Sequence, residues 1–129
     1  MKILKQKSFT TISLLALFAF CLALVIIRWI NIFNEDVYVL TQTINFHITN
    51  FILSFMVCTI AGYVLLVTGK KYIFCGIVAL LLAVANLVYE VFLPMLNTTD
   101  IVDAYYGWVG VAISLVYLYI ISKFGFVRQ

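Results

Sequence analysis

Charged residues are scarce in this chain of 129 residues, of which they make up 10%. Soluble globular proteins have about 25%. Hydrophobic residues make up 66%, which is more apolar surface than a soluble domain of this length can bury. A soluble enzyme or binding domain is therefore excluded. The net charge of +3 is spread between apolar runs rather than gathered in a patch, so it does not predict a nucleic-acid partner.

Cysteine is also scarce. Cys21, Cys58 and Cys75 each lie inside an apolar stretch, and no Cys-x-x-Cys pair occurs. This number and spacing exclude a disulfide framework and a cysteine-based metal site, and predict small packing residues. The sequence also lacks a glycine-rich phosphate loop, an internal repeat and a linker. Its length leaves room for one domain, residues 1–129.

Four long apolar runs dominate the sequence, each of the roughly 18 or more residues that cross a bilayer as a helix. They predict helices at about 9–29, 46–68, 72–93 and 103–122. We therefore expect an all-α membrane protein, a bundle of four transmembrane helices. The first run follows lysines, as in a signal peptide, but no small-x-small cleavage site follows it. Because Arg28 and Trp29 end this run, we expect a retained helix.

The placement of basic residues predicts the orientation of these helices. Seven of the eight share one side of the membrane: Lys2, Lys5, Lys7, Lys70, Lys71, Lys123 and Arg128. Only Arg28 falls on the other side. Because lysine and arginine are enriched in cytoplasmic loops, both termini are expected in the cytoplasm. The loops at about 28–45 and 94–103 then face outward.

Small and polar residues recur at three- and four-residue spacing along three of the runs, which places them on one face of each helix. The stripes contain His47, Asn50, Ser54, Cys58 and Gly62; Gly76, Ala79, Ala83, Asn86 and Glu90; and Asp103, Gly107, Gly110 and Ser114. In membranes, small residues let helices approach closely, and polar residues hydrogen-bond between helices. We therefore expect the stripes to face one another. The residues predicted to pack are Gly62, Gly76, Ala83, Gly107, Gly110 and Ser114.

The candidate functional residues are His47, Glu90, Asp100 and Asp103, which lie within about two helical turns of the predicted outer boundary. An ionisable residue inside a membrane span is by default a functional candidate with a partner to be named. For Glu90 the candidate partners are His47 and Arg28. Alternatively, Glu90 reaches the outer interface and forms a structural pair there. His47 is either a hydrogen-bonding packing residue or a ligand.

The acidic residues before the fourth helix have two interpretations. Asp100, or the neighbouring Thr99, can cap the helix, and two acids stabilise its positive end. With Glu90, Asp100 and Asp103 could instead form a site for a cation or a proton, or a general acid/base pair. One histidine and three carboxylates could also bind a divalent metal, although no spacing identifies one. The sequence therefore names no cofactor.

Between residues 89 and 110 the chain has an acidic helix end, a short loop, Asp-x-x-Asp and then Gly-x-x-Gly leading into the last helix. This order resembles the VanZ-like family, whose pattern includes a histidine near the start of the second helix. The matching residues are Glu90, Asp100, Asp103, Gly107, Gly110 and His47. Thr43-Ile44 and Asn97 stand where the family often has Asp-Lys and Arg. The resemblance implies a four-helix protein of the bacterial cytoplasmic membrane, and the family's founding members are associated with reduced susceptibility to teicoplanin-type glycopeptides.

Three functions fit these features. The first is a VanZ-like membrane protein that acts at the outer leaflet on a cell-envelope component or an amphiphilic drug. The second is an enzyme that acts on a lipid headgroup, with Glu90 and Asp103 as acid and base. The third is a non-catalytic accessory subunit of a membrane complex, in which the stripes pack and Asp100 and Asp103 only cap. The expected partners are the bilayer and an envelope lipid or amphiphilic ligand, and the oligomeric state stays open.

Overall fold

Four helices account for most of the chain. The computed structural model describes residues 3–33, 41–92 and 100–127. The helices are α1 (Ser8–Phe33), α2 (Gln42–Val67), α3 (Ile73–Phe92) and α4 (Ile101–Phe124). All four are long and apolar enough to cross a membrane, so the chain is an all-α, multi-pass membrane protein. Lys2, Thr99 and Arg128, to which the sequence analysis gave roles, lie outside the described residues.

Local capping interactions determine where the second helix begins and ends. It begins four residues before the predicted start because the Thr41 hydroxyl accepts a hydrogen bond from the backbone N–H of Ile44 at 3.4 Å. At its other end, Lys70 N–H donates to Leu65 O at 2.9 Å and Gly69 N–H donates to Leu66 O at 3.0 Å. This pair of bonds is a Schellman motif, which needs a left-handed residue after the helix. Gly69, with a φ of 79°, supplies it.

Both ends of the described chain meet the α2–α3 turn at one end of the bundle, which we call the terminal end. Leu4 N–H donates to Val67 O at 2.8 Å, and Lys7 N–H donates to Gly125 O at 2.9 Å. The buried hydroxyl of Thr10 donates to the same Gly125 carbonyl at 2.7 Å. The opposite end of the bundle holds the start of α2 and the start of α4, and we call it the His47 end.

The central contact of the bundle is between α2 and α4, and glycines allow it. A Cβ atom on Gly110 would lie 2.5 Å from Phe51 O of α2. One on Gly107 would lie 3.0 Å from Ser54 Oγ of α2 and 2.5 Å from Asn86 Nδ2 of α3. A Cβ atom on Gly62 would lie 2.2 Å from Leu118 Cδ1. Since real Cβ contacts are longer, these three positions require glycine unless a neighbour moves.

The prediction that Gly76 packs closely against another helix is not met in the structure. Apart from its chain neighbours and the backbone of its own helix, no atom of the described residues lies within 4 Å of a Cβ atom built on Gly76. The face that α3 buries passes through Cys75 and Ala79. Gly76 is rotated by about 100° from Cys75 and so lies on the flank of that face. Close packing therefore does not require glycine at this position.

Polar side chains on or next to the stripes pair between the helices, as is usual in membrane packing. The hydroxyls of Thr59 and Ser114 are 2.9 Å apart and fully buried. Asn86 Nδ2 donates to Ser54 Oγ at 2.9 Å. Trp108 Nε1 donates to the carbonyl of Ala83 at 2.9 Å, which ties α4 to α3. The three cysteines are free and buried.

Candidate functional site

The four candidate residues come from three helices that converge at the His47 end. His47 lies in the second turn of α2, and Asp103 lies in the first turn of α4. His47 Nδ1 is 2.6 Å from Asp103 Oδ1. The two side chains are only 13% and 16% exposed, so the pair is largely shielded from solvent. Because an ionised carboxylate can only accept, Nδ1 carries the proton of this hydrogen bond.

Asp100 caps α4, which confirms one of the two predicted roles of the acidic pair. Its backbone is extended, and its carboxylate accepts from Val102 N–H at 3.0 Å. In a capping box the side chain three residues later would return to the cap N–H. Here Asp103 is engaged with His47 instead. The backbone of Asp100 also lies beside the carboxylate of Glu90, which belongs to α3.

Glu90 is the most buried acidic residue of the site. It lies near the C-terminal end of α3 and is 4% exposed. Its Oε2 atom is buried and has no hydrogen-bond partner among the described residues. The carboxylates of Asp103 and Asp100 and the imidazole of His47 are its electrostatic neighbours. Burial at this depth is not the arrangement expected if Glu90 extended to the interface.

Arg28 does not neutralise the acidic residues of the site. Its Nε donates to the carbonyl of Asn45 at 3.1 Å. Within the described part of the chain, the ion pairs are His47 with Asp103 and His47 with Asp100, the latter at 3.8 Å. Of the two partners predicted for Glu90, His47 is therefore close and Arg28 makes no ion pair with it. The site has three carboxylates and one imidazole, and no lysine or arginine of the described residues forms an ion pair with them.

The donor atoms are close enough together to act on one small ligand. One ligand atom from each of His47, Asp100 and Asp103 lies within 4.8 Å of the other two. Such a set can exchange a proton, accept hydrogen bonds from a hydroxyl or amine, or hold a cation. The histidine can serve as a general base because Asp103 orients its ring.

An apolar groove runs beside this cluster and has no counterpart in the sequence analysis. It has a volume of about 370 Å³ and lies between α1, α2 and α4. The lining residues are Phe20, Leu24, Ile48, Phe51, Tyr105, Tyr106 and Val109. The ring of Tyr106 also packs against the ring of His47, with 5.3 Å between the centroids. Tyr106 therefore joins the groove to the polar cluster.

The sequence has no clear signal for this groove. Aromatic residues at a helix end are typical of the membrane interface whether or not they line a groove. The groove also depends on α1, whose position beside α2 and α4 cannot be obtained from the spacing of residues within one helix.

No family model, no curated protein and no solved structure matches the chain. The site is therefore interpreted from its own chemistry.

Proposed function

We propose that this chain is a VanZ-like membrane protein that binds an amphiphile at the His47 end. The polar headgroup would contact His47, Asp100, Asp103 and Glu90, and the alkyl chain would lie in the groove beside them. The observation that carries this proposal is the position of Tyr106, which packs on His47 and also lines the groove. A polar cluster that continues directly into an apolar groove matches a molecule with one polar and one apolar part.

The volume of the groove supports a lipid-like ligand. At about 370 Å³, it falls within the range of about 300–1,000 Å³ that is usual for ligand pockets. Because an alkyl chain in a bilayer already lies in hydrocarbon, the groove gains little from the hydrophobic effect. Its contribution is to orient the ligand, and discrimination between ligands has to come from the polar cluster.

The charge distribution supports an outward-facing site. The terminal end carries five lysines: Lys5, Lys7, Lys70, Lys71 and Lys123. The positive-inside rule then places the terminal end and both termini in the cytoplasm, and the His47 end at the outer leaflet of a bacterial cytoplasmic membrane. An envelope lipid or an amphiphilic drug would reach the groove from that leaflet.

A second candidate is an enzyme that acts on the headgroup. The pairing of His47 with Asp103 favours it, because a carboxylate that orients an imidazole is the usual arrangement for a general base. The unpartnered Oε2 atom of Glu90 offers a second proton-exchange group nearby. Comparison of lipid extracts from a deletion strain and its parent tests this candidate, and identical headgroup profiles would exclude it.

The experiment for the binding proposal compares two tryptophan substitutions on one face of α4. Val109→Trp fills the groove, whereas Val116→Trp lies seven residues further on the same lipid-facing side. The two valines are similarly exposed, at 52% and 62%. Protein purified in mild detergent is analysed by mass spectrometry for bound amphiphiles. We expect the parent and the Val116→Trp variant to retain the same amphiphile, and Val109→Trp and His47→Asn to lose it.

An amphiphile content that is equal in all four proteins, or absent from all four, would overturn the binding proposal. Cells that produce the same four proteins are then tested for growth in a teicoplanin-type glycopeptide and in a glycopeptide without an alkyl chain. Reduced susceptibility that depends on the site and on the alkyl chain would support the VanZ-like role. Variants Glu90→Gln, Asp100→Asn and Asp103→Asn that leave such a phenotype unchanged would show that the residues are misassigned.

A further inference from the structure

We infer that His47, Asp100 and Asp103 form a binding site for a divalent transition-metal ion beside the buried carboxylate of Glu90. The inference deepens the proposed function. The role of the ion in binding a headgroup rests on that function, whereas metal binding itself is measured separately. One ligand atom each from His47, Asp100 and Asp103 already lies within 4.8 Å of the others. Three residues from two different helices therefore offer a mixed nitrogen and oxygen donor set.

The distances between these atoms are close to those of a metal site. Ligands at about 2.0–2.2 Å from one ion lie roughly 3–4.4 Å from each other. His47 Nδ1 and Asp100 Oδ2 are 3.8 Å apart, which is within this range. His47 Nδ1 and Asp103 Oδ1 are closer, at 2.6 Å, because a proton joins them. When an ion binds, the proton of the imidazole moves from Nδ1 to Nε2, so the ring stays neutral and Nδ1 becomes a ligand. The two atoms then separate by about half an ångström, which a small rotation of the carboxylate provides.

The burial of the Glu90 carboxylate is an independent observation that indicates a cation. Its side chain is 4% exposed, its Oε2 atom lacks a partner among the described residues, and its electrostatic neighbours include the carboxylate of Asp103. A buried carboxylate without a partner is costly unless a cation or a proton neutralises it. A divalent ion between Asp100 and Asp103 would supply positive charge beside this carboxylate.

The donor set favours one class of metal. Calcium and magnesium prefer sites made of oxygen atoms alone, whereas imidazole suits zinc and other first-row transition metals. One imidazole with two carboxylates therefore favours Zn²⁺ or Mn²⁺ over Mg²⁺ and Ca²⁺. An ion held by three protein ligands keeps an open position, so an oxygen atom of a bound headgroup could coordinate it.

The experiment uses the full chain in detergent, stripped with a chelator and then titrated with ZnCl₂ or MnCl₂. We expect one ion per chain by elemental analysis and calorimetry, with competition from neither Mg²⁺ nor Ca²⁺ at equal concentration. His47→Asn, Asp103→Asn and Glu90→Gln should each weaken binding at least tenfold. Ser54→Ala is the matched control, because Ser54 lies on the same face of α2 about two turns away and offers no ligand to the cluster. It should bind like the parent.

Thermal unfolding distinguishes a variant that has lost the metal site from one that folds poorly. A bound ion stabilises only the folded state, so Zn²⁺ or Mn²⁺ should raise the Tm of the parent and of Ser54→Ala, but not of Glu90→Gln. Less than a tenth of an ion per chain, or equal affinity in the parent and Asp103→Asn, would overturn the metal site. A chain that retains its amphiphile but binds no metal would refute this inference alone. Metal binding without amphiphile retention would refute only the proposed function.

Discussion

His47 Nδ1 lies 2.6 Å from Asp103 Oδ1, and this contact joins α2 to α4 across 56 positions of the sequence. The two helices already pack closely through glycines further along, at Gly110 and Gly107. The hydrogen bond therefore fixes their axial register at the His47 end rather than creating the interface. Asp103 pairs with His47 rather than returning to the cap of its own helix.

The first prediction concerns the strength of this contact. Asp103→Ala removes a hydrogen bond with a charged partner and should lower the free energy of unfolding by about 1.5–3 kcal/mol. Asp103→Asn keeps an oxygen atom that can accept from His47, so it should cost clearly less. Unfolding in a denaturing detergent, followed by circular dichroism, measures both. Equal losses for the two variants would show that the charge, and not the hydrogen bond, stabilises the fold.

The second prediction compares two glycine positions. Gly110→Ala would place a methyl group 2.5 Å from the backbone oxygen of Phe51, so α2 and α4 must separate. We expect a loss of about 1–3 kcal/mol. Gly76→Ala meets open space among the described residues, and alanine is the better helix former, so it should be neutral or slightly stabilising. The same unfolding measurement decides, and a similar loss for both variants would contradict the packing described for α3.

The sequence predicts four spans and the convergence of their polar residues because both follow from periodicity within single helices. Apolar length identifies a span, and three- and four-residue spacing identifies a face. The connections then bring the start of α2, the end of α3 and the start of α4 to one end of the bundle. His47, Glu90 and Asp103 meet there without any information about side-chain contacts.

The contacts between helices could not be predicted in the same way, because they depend on how each helix is rotated and shifted against its neighbours. A rotation of α3 puts Cys75, rather than Gly76, in the buried face. The position of Glu90 beside the Asp100 backbone depends on the relative height of α3 and α4. Arg28 and Glu90 are predicted to lie at a similar depth in the membrane, which makes Arg28 a plausible partner. Its side chain nevertheless donates to the Asn45 carbonyl.

The third prediction concerns the buried pair in the middle of the bundle. Thr59 and Ser114 hydrogen-bond at 2.9 Å, and neither is exposed. Thr59→Val leaves the Ser114 hydroxyl without this partner and should destabilise the fold, whereas adding Ser114→Ala should recover part of the loss. Pairs of this kind in membrane proteins average about 0.6 kcal/mol. A double-mutant cycle measures the coupling, and a coupling of zero would mean that backbone carbonyls satisfy both hydroxyls equally well.

The last prediction separates the two roles of Asp100, which caps α4 and also contributes a carboxylate to the site. Asp100→Ala removes both and should cost about 1 kcal/mol of stability, the usual effect of losing an N-cap. Asp100→Ser keeps a capping oxygen without the charge, so it should restore most of the stability. If the carboxylate matters for binding, Asp100→Ser should still bind Zn²⁺ or Mn²⁺ more weakly than the parent. Recovery of stability and of metal affinity together would mean that Asp100 acts only as a cap.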